Sequence, residues 1–507
     1  MLVRGTWLRR KLLLLTAPPL LAFCLLARPA WHLAWVARRE AAFRQAPPDT
    51  GLNSDDYSRR EAAQLKDRIV VPADLPGAIR EIRATLKRAR REGVHVSIAG
   101  ARHSQGGHTI APGGLQLDLS ALDQVRYDPP SGVVTLGAGC RWKRVIEALT
   151  PYGRSVEVMQ SDDNFSVGGS LSVNCHGWQS GKPPIDATVV SITVITADGR
   201  IRRCSRSHNG ELFRLALGGY GLVGVILEAQ LNTLADSRLR FHSETASPGD
   251  YGAALQAWSA RAGVDRLAYG RLCVAPEHFM SQARLNVFVP LTPCAGEALD
   301  PESAFGLKRL IFRGQVESPY GKDLRWRLET AFDSLDEGAE STRNQVQHSD
   351  ASLYWNLDPE RSDVLQEYFV PAAAFAAFTQ DLGKAVLATG VDLLNATVRD
   401  VKADTDSVLS YAPQDRLALV LFFDERRGQD AEAQMQECTR RLIDAALDLG
   451  GSYYLPYRPH ATLRQFRRAY PSAAAFLRGK RRFDPHGVFS NEFYDRYLRP
   501  PAPAKGP

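Results

Sequence analysis

Ala99-Gly100-Ala101-Arg102-His103-Ser104-Gln105-Gly106-Gly107-His108 is the stretch on which the reading of this 507-residue chain turns. It leaves directly from Val94-His95-Val96-Ser97-Ile98, whose alternation of apolar and polar residues is that of a half-buried strand. Such a loop gathers backbone N–H groups and small residues into one turn. Donors then point at a bound anion with no side chain in the way, which is what a pyrophosphate requires. Tight turns use glycine too, so one loop of this kind is weak evidence.

A second small-residue segment follows, Asn164-Phe165-Ser166-Val167-Gly168-Gly169-Ser170-Leu171-Ser172-Val173-Asn174-Cys175-His176-Gly177. The third is Gly218-Gly219-Tyr220-Gly221-Leu222-Val223-Gly224, which formally contains GxGxxG. In a dinucleotide fold that motif follows a strand and opens a helix. Here helix-like residues 211–217 precede it and strand-like residues 225–231 follow, so the Rossmann reading is rejected. Around the loops the pattern is mixed. Asp74 is placed to cap a helix bearing Ile79, Ile82, Leu86 and Ala89 at helical spacing. Strands are expected at 115–119, 133–136 and 189–196, and a helix at 141–149.

Taken in this order, the three segments resemble the FAD-binding domain of the vanillyl-alcohol oxidase and para-cresol methylhydroxylase superfamily, over about residues 65–235. The resemblance implies an α+β chain. A two-subdomain flavin domain would span 67–235, a cap or substrate domain with an antiparallel sheet 236–470, and a segment returning to the flavin domain 471–507. It implies FAD contacts from all of Ala99 to His108, from Asn164, Ser166, Val167, Gly168, Gly169, Ser172, Asn174, His176 and Gly177, and from Gly221 and Val225. His103, in the GxxHS arrangement Gly100 to Ser104, falls where relatives bond a histidine to the flavin 8α-methyl. A covalent link prevents cofactor loss and raises the flavin potential, favouring hydride acceptance. Cys175 reads as a small buried filler.

The second half is less legible, with helices expected at 372–387 and 431–449 and a strand at 417–423. Asn395-Ala396-Thr397-Val398-Arg399-Asp400-Val401-Lys402-Ala403-Asp404 resembles the strand of aldonolactone and alditol oxidases that presents an arginine beneath the flavin, which implies that role for Arg399. Tyr454-Leu455-Pro456-Tyr457-Arg458-Pro459-His460-Ala461-Thr462-Leu463-Arg464-Gln465 resembles the RPHW-x-K motif of those oxidases. Ala461 replaces the tryptophan, Leu463 stands at the lysine, and Arg464 is the nearest cation. Residues 480–491 match the FDP-x-x-x-F-x-N ending, which brings Asn491 toward the flavin domain. Decaprenylphosphoryl-ribose oxidases are similar in Gln366-Glu367-Tyr368-Phe369-Val370-Pro371 and around 453–470, with Tyr457 where their catalytic lysine would stand.

The reaction these resemblances imply is that of an FAD-dependent oxidase or dehydrogenase: hydride transfer to flavin from the CH–OH carbon of an aldonolactone, alditol or polyprenyl-phosphosugar. An alcohol does not ionise freely at pH 7, so a positioned base is needed. His460 is first choice, with Arg399 and Arg464 as electrostatic support, Tyr457 in reserve and Tyr454 as a cofactor contact. The electron acceptor is left open among oxygen, a quinone or a cytochrome. The reading from a different class is a flavin-binding or structural membrane protein without turnover.

Charge and cysteine content narrow the partners. The formal charge is +7, but Lys and Arg are dispersed, which sets nucleic acid aside and favours anionic small molecules or an anionic membrane surface. Seven cysteines without a CxxC pair signal neither a zinc site nor a disulfide framework. At the N-terminus, Arg4, Arg9, Arg10 and Lys11 precede an apolar run at 12–27 followed by Trp31 and Trp35, so 1–36 reads as a membrane anchor or signal segment. Arg9-Arg10-Lys11 also resembles a twin-arginine export signal. Arg28, Arg38, Arg39 and Arg44 leave the orientation open, and 37–66, broken by Pro47-Pro48, reads as a linker.

Overall fold

The computed structural model describes residues 27–43, 51–263, 265–294, 296–301 and 304–499. Its first half begins with a small parallel sheet in which Leu115–Asp118 lies between Asp67–Val70 and Val96–Ala99. The helix Leu75–Glu92 connects the outer pair. Asp74 caps it by accepting from Gly77 N at 2.7 Å, and Gly93 at φ 63° ends it. A second, antiparallel sheet is centred on Val225–Ala235 between Val189–Ile195 and Val133–Gly137. The first glycine-rich segment therefore leaves the end of Val96–Ala99 and the second opens the helix Val167–Val173, where backbone N–H groups are free to point outward.

Beyond Ser237 the chain builds an eight-stranded antiparallel sheet. Its central run is Leu267–Leu272, Asp392–Val401, Arg416–Arg426 and Arg361–Val370. The helices Phe375–Thr389 and Gln429–Asp448 were expected from their apolar spacing. Of the sheet's eight strands only Arg416–Arg426, and by resemblance Asp392–Val401, were expected, because strands such as Arg361–Val370 are buried on both faces and carry little alternation. The chain then returns to the first half, where Ser490 N donates to Val96 O at 3.1 Å.

The expected anchor run at 12–27 lies outside the described residues, except for Ala27. Among the described residues, no helix is long and apolar enough to cross a membrane. Residues 27–41 are helical, so the helix runs through the boundary drawn at residue 37. It is held to the cap: His32 Nε2 lies 3.0 Å from Gly314 O, Arg39 donates to Arg313 O at 2.7 Å, and Arg309 donates to Glu40 at 2.7 Å. The later part of the expected linker is also packed, with Tyr57 N donating to Ser104 O in the first flavin loop.

Candidate active site

One large cavity lies between the two halves. The flavin half contributes Ala99, Gly100, Ala101, Arg102, His103, Ser104, Gln105 and His108, then Ser166, Gly168, Gly169, Ser172 and His176, and Gly221. The cap contributes the face of its sheet, with Tyr454 and Tyr457 from the loop beyond it.

The loops are built for close approach of backbone to a ligand. A Cβ on Gly100 would lie 2.4 Å from Ser166 Oγ, the atom that accepts from Ala101 N at 3.1 Å and ties the first loop to the second. A Cβ on Gly168 would lie 2.8 Å from Ala138 Cβ. Arg102 holds a left-handed φ of 57°, with its guanidinium donating to Asp118 at 2.7 Å. Strain at a non-glycine residue in such a loop is typical of a ligand clamp. His103 packs against Phe165 with the ring centroids 4.2 Å apart and the planes tilted by 30°, and burial with Arg141 nearby lowers its pKa to about 4. Its imidazole is therefore neutral at pH 7.

Opposite these loops, the cap sheet presents a row set by its register. Arg271 pairs with Thr397, Thr397 with Val420, and Val420 with Glu367, and all four line the cavity. Adjacent strands lie about 4.8 Å apart, so roughly 14 Å of sheet separates the cation from the acid. At the acid end, the Glu367 side chain is 1% exposed. Its Oε1 lies 2.7 Å from His176 Nε2, yet the pair is too poorly aligned to bond and both atoms are unsatisfied. The Tyr457 hydroxyl donates to Glu367 Oε2 at 3.4 Å, and burial beside that carboxylate pushes its pKa well up, so it stays a donor. Between the ends, Arg399 donates to Ser161 Oγ at 2.6 Å, while its buried Nε has no partner. Buried polar groups left unpaired are costly, and their concentration here marks where a polar ligand belongs.

Several expected residues lie elsewhere. His460 does not line the cavity: its Nδ1 lies 2.8 Å from Thr439 Oγ1 and its Nε2 2.9 Å from Glu432 Oε1, on the helix Gln429–Asp448. It is a buried structural histidine, kept neutral by desolvation. Arg464 is exposed on the short helix Leu463–Ala469. Arg399 and His460 therefore do not converge. Asn491, expected near the flavin, supports the loops from behind by donating to His108 O and Tyr220 O at 3.0 Å each.

The other cofactor candidates outside the lining act in the same supporting way. Val167 and Val225 are core residues. Asn164 Oδ1 accepts from Ala351 N, and Asn174 Nδ2 donates to Asp404. Gly107 N donates to Asp56, and Gly106 and Gly177 sit where a Cβ would strike backbone oxygens of Tyr457 and Met159.

Sequence reasoning did not select Glu367 or Arg271. For Glu367 a signal existed, since a lone carboxylate in the run Leu365 to Val370 has no solvent face to occupy.

Comparison with known proteins agrees with this geometry. Residues 73–205 match the FAD binding domain family. An oxidoreductase, ORF5 of the fasciation locus of Rhodococcoides fascians, is 25% identical over 87% of this chain and 96% of its own length. The mitochondrial L-galactono-1,4-lactone dehydrogenase of Arabidopsis thaliana is 26% identical over 41% of this chain and 33% of its own. The D-arabinono-1,4-lactone oxidase of Yarrowia lipolytica is 32% identical over 31% of each chain. The chain thus spans about a third of the lactone enzymes it matches. Residues 73–205 are an FAD-binding domain of the para-cresol methylhydroxylase type, and the chain is an FAD-dependent oxidoreductase built on it.

Proposed function

We propose that this oxidoreductase oxidises the CH–OH carbon of a sugar-like small molecule, an aldonolactone, an alditol or a polyprenyl-phosphosugar. Bound FAD would supply the hydride acceptor, held by the glycine-rich loops from Ala99 to Gln105 and from Ser166 to His176. The observation that carries the reading is the Glu367 carboxylate, buried and unsatisfied at Oε1 beside His176 on the cavity wall facing those loops. Glu367 takes the hydroxyl proton, in the role first expected of His460. Tyr457 fixes its orientation, and Arg399 offers N–H donors to the oxygen on which negative charge develops. The lactone-acting relatives lend support to the substrate class.

Anaerobic bleaching of the flavin by a panel of lactones, alditols and phosphosugars is the direct test, and no bleaching by any of them overturns the reading. The flavin link proposed at His103 rests on its neutral, nucleophilic imidazole in the cavity wall, and is tested by whether acid precipitation leaves yellow colour on the polypeptide. Membrane tethering by residues 1–36 is supported by Trp31 and Trp35, 78% and 51% exposed on the helix that follows the apolar run. Full-length protein should sediment with membranes, and a chain starting near residue 51 should not.

A further inference from the structure

We infer that Arg271 is a specificity residue that binds an oxyanion on the substrate, a carboxylate or a phosphate, at the end of the cavity opposite Glu367. The assignment deepens the proposed oxidation and rests on it for the reacting end of the substrate.

Three observations carry it. Arg271 lines the cavity, and its hydrogen bonds go to neutral oxygens, Asn395 Oδ1 at 2.6 Å and Thr397 Oγ1 at 3.0 Å, with the Tyr269 ring 5.4 Å away. Those contacts fix its direction without cancelling its charge. The nearest acids, Glu329 and Asp333, hold the Arg271 pKa up against its burial, but their ion pairs are with other cations: Glu329 accepts from Arg325 at 2.7 Å, and Asp333 from Arg284 at 3.0 Å. Arg325 also donates to Asn395 Oδ1 at 3.0 Å, so a second guanidinium stands behind the first. Three guanidiniums, Arg271, Arg325 and Arg284, thus stand against two carboxylates, Glu329 and Asp333, which leaves one positive charge over at this end of the cavity. A charge there is costly unless a counter-ion meets it.

The row across the sheet then gives direction. A substrate anion is repelled by Glu367 and attracted by Arg271, three strands away, which turns the alcohol carbon toward the carboxylate. Phe312, Tyr354 and Phe422, with ring centroids 4.8 to 6.3 Å apart, wall the same end and keep water from screening the pair.

The test is equilibrium binding to the holoenzyme, read from the visible difference spectrum of the flavin. D-ribose 5-phosphate and D-arabinonate are compared with the neutral D-ribose and D-arabinitol. The acids should bind roughly thirtyfold more tightly or better, the scale of a charge-assisted hydrogen bond. In R271Q that ratio should collapse toward one, while R271K should keep most of it. Comparison of the two acids tells phosphate from carboxylate. No preference in the unmutated enzyme overturns the assignment, and that arm decides even if R271Q fails to fold. A preference that survives in R271Q also overturns it, as does loss of flavin from R271Q, which would place Arg271 against the cofactor. Binding is read without turnover, so an enzyme that binds the acids yet never reduces its flavin refutes the oxidation and leaves the anion site standing.

Discussion

The two walls of the cavity are assembled in opposite ways. The flavin wall comes from contiguous runs: Ala99 to Gln105 line it at consecutive positions. The cap wall takes one residue from each of four strands, Arg271, Thr397, Val420 and Glu367, brought into a row only by antiparallel register. A contiguous wall preserves a motif, because spacing along the chain is itself the geometry. A wall made by register does not, since a shift of one residue would turn every side chain to the other face.

That difference ranks the mutations. The largest effect should come from the contiguous wall, where Gly168→Val drives a side chain into Ala138 and disturbs the second loop itself. We expect purified protein with less than about a tenth of the normal flavin, since overpacking a tight backbone contact leaves no soft way to relax. Full flavin content in this variant would break the claim that this wall is the cofactor cradle.

In the cap wall, Glu367→Gln should keep the flavin and slow its anaerobic reduction by about a hundredfold or more, the usual contribution of a positioned base. His460→Ala should leave that rate within about twofold. It should instead lower the melting temperature by a few degrees, because Thr439 and Glu432 lose a buried partner. A hundredfold loss in His460→Ala with no loss in Glu367→Gln would reverse the assignment and restore the sequence-based choice. Arg464→Ala, on an exposed helix, should change neither reading.

What the sequence disclosed follows the same division. The glycine-rich loops, the Asp74 cap and the helices Phe375–Thr389 and Gln429–Asp448 depend on local chemistry and could be read directly. Arg399 was legible because its segment is a continuous strand. His460 misled because a motif preserves order but not direction: beyond Pro459 the ring turns toward Thr439 and Glu432 instead of the cavity. Arg271 had no local signal, as nothing around residue 271 announces its strand's pairing with Asp392–Val401.

The smallest predicted effect concerns pH, and it places one probe in each half. Asp56 lies behind the first flavin loop, accepting from Gly107 N at 2.9 Å, and burial pushes its pKa up to about 7. Glu425, near the end of a cap strand and paired with Arg60, is likewise pushed up to about 7 by burial. A carboxyl raised in this way holds in the folded protein a proton that the unfolded chain has already released. Its stabilising effect is therefore full below about pH 4 and is lost as pH rises to about 7, beyond which the curve is flat. Glu432, held down to about 2 by His460 and Arg458 against its own desolvation, opposes this between about pH 4.5 and 2, and the buried imidazoles of His103 and His108, lowered to about 4 and about 3, oppose it up to about pH 6.5. Above the histidine range the two carboxyls are left to act, so the melting temperature should fall by a degree or two between about pH 6.5 and 7.5. Asp56→Asn and Glu425→Gln should each flatten part of that slope. If only Asp56→Asn flattens it, the pH dependence belongs to the flavin half. A slope between pH 6.5 and 7.5 that is the same in both variants as in the unmutated protein would show that neither carboxyl holds its proton in the folded chain.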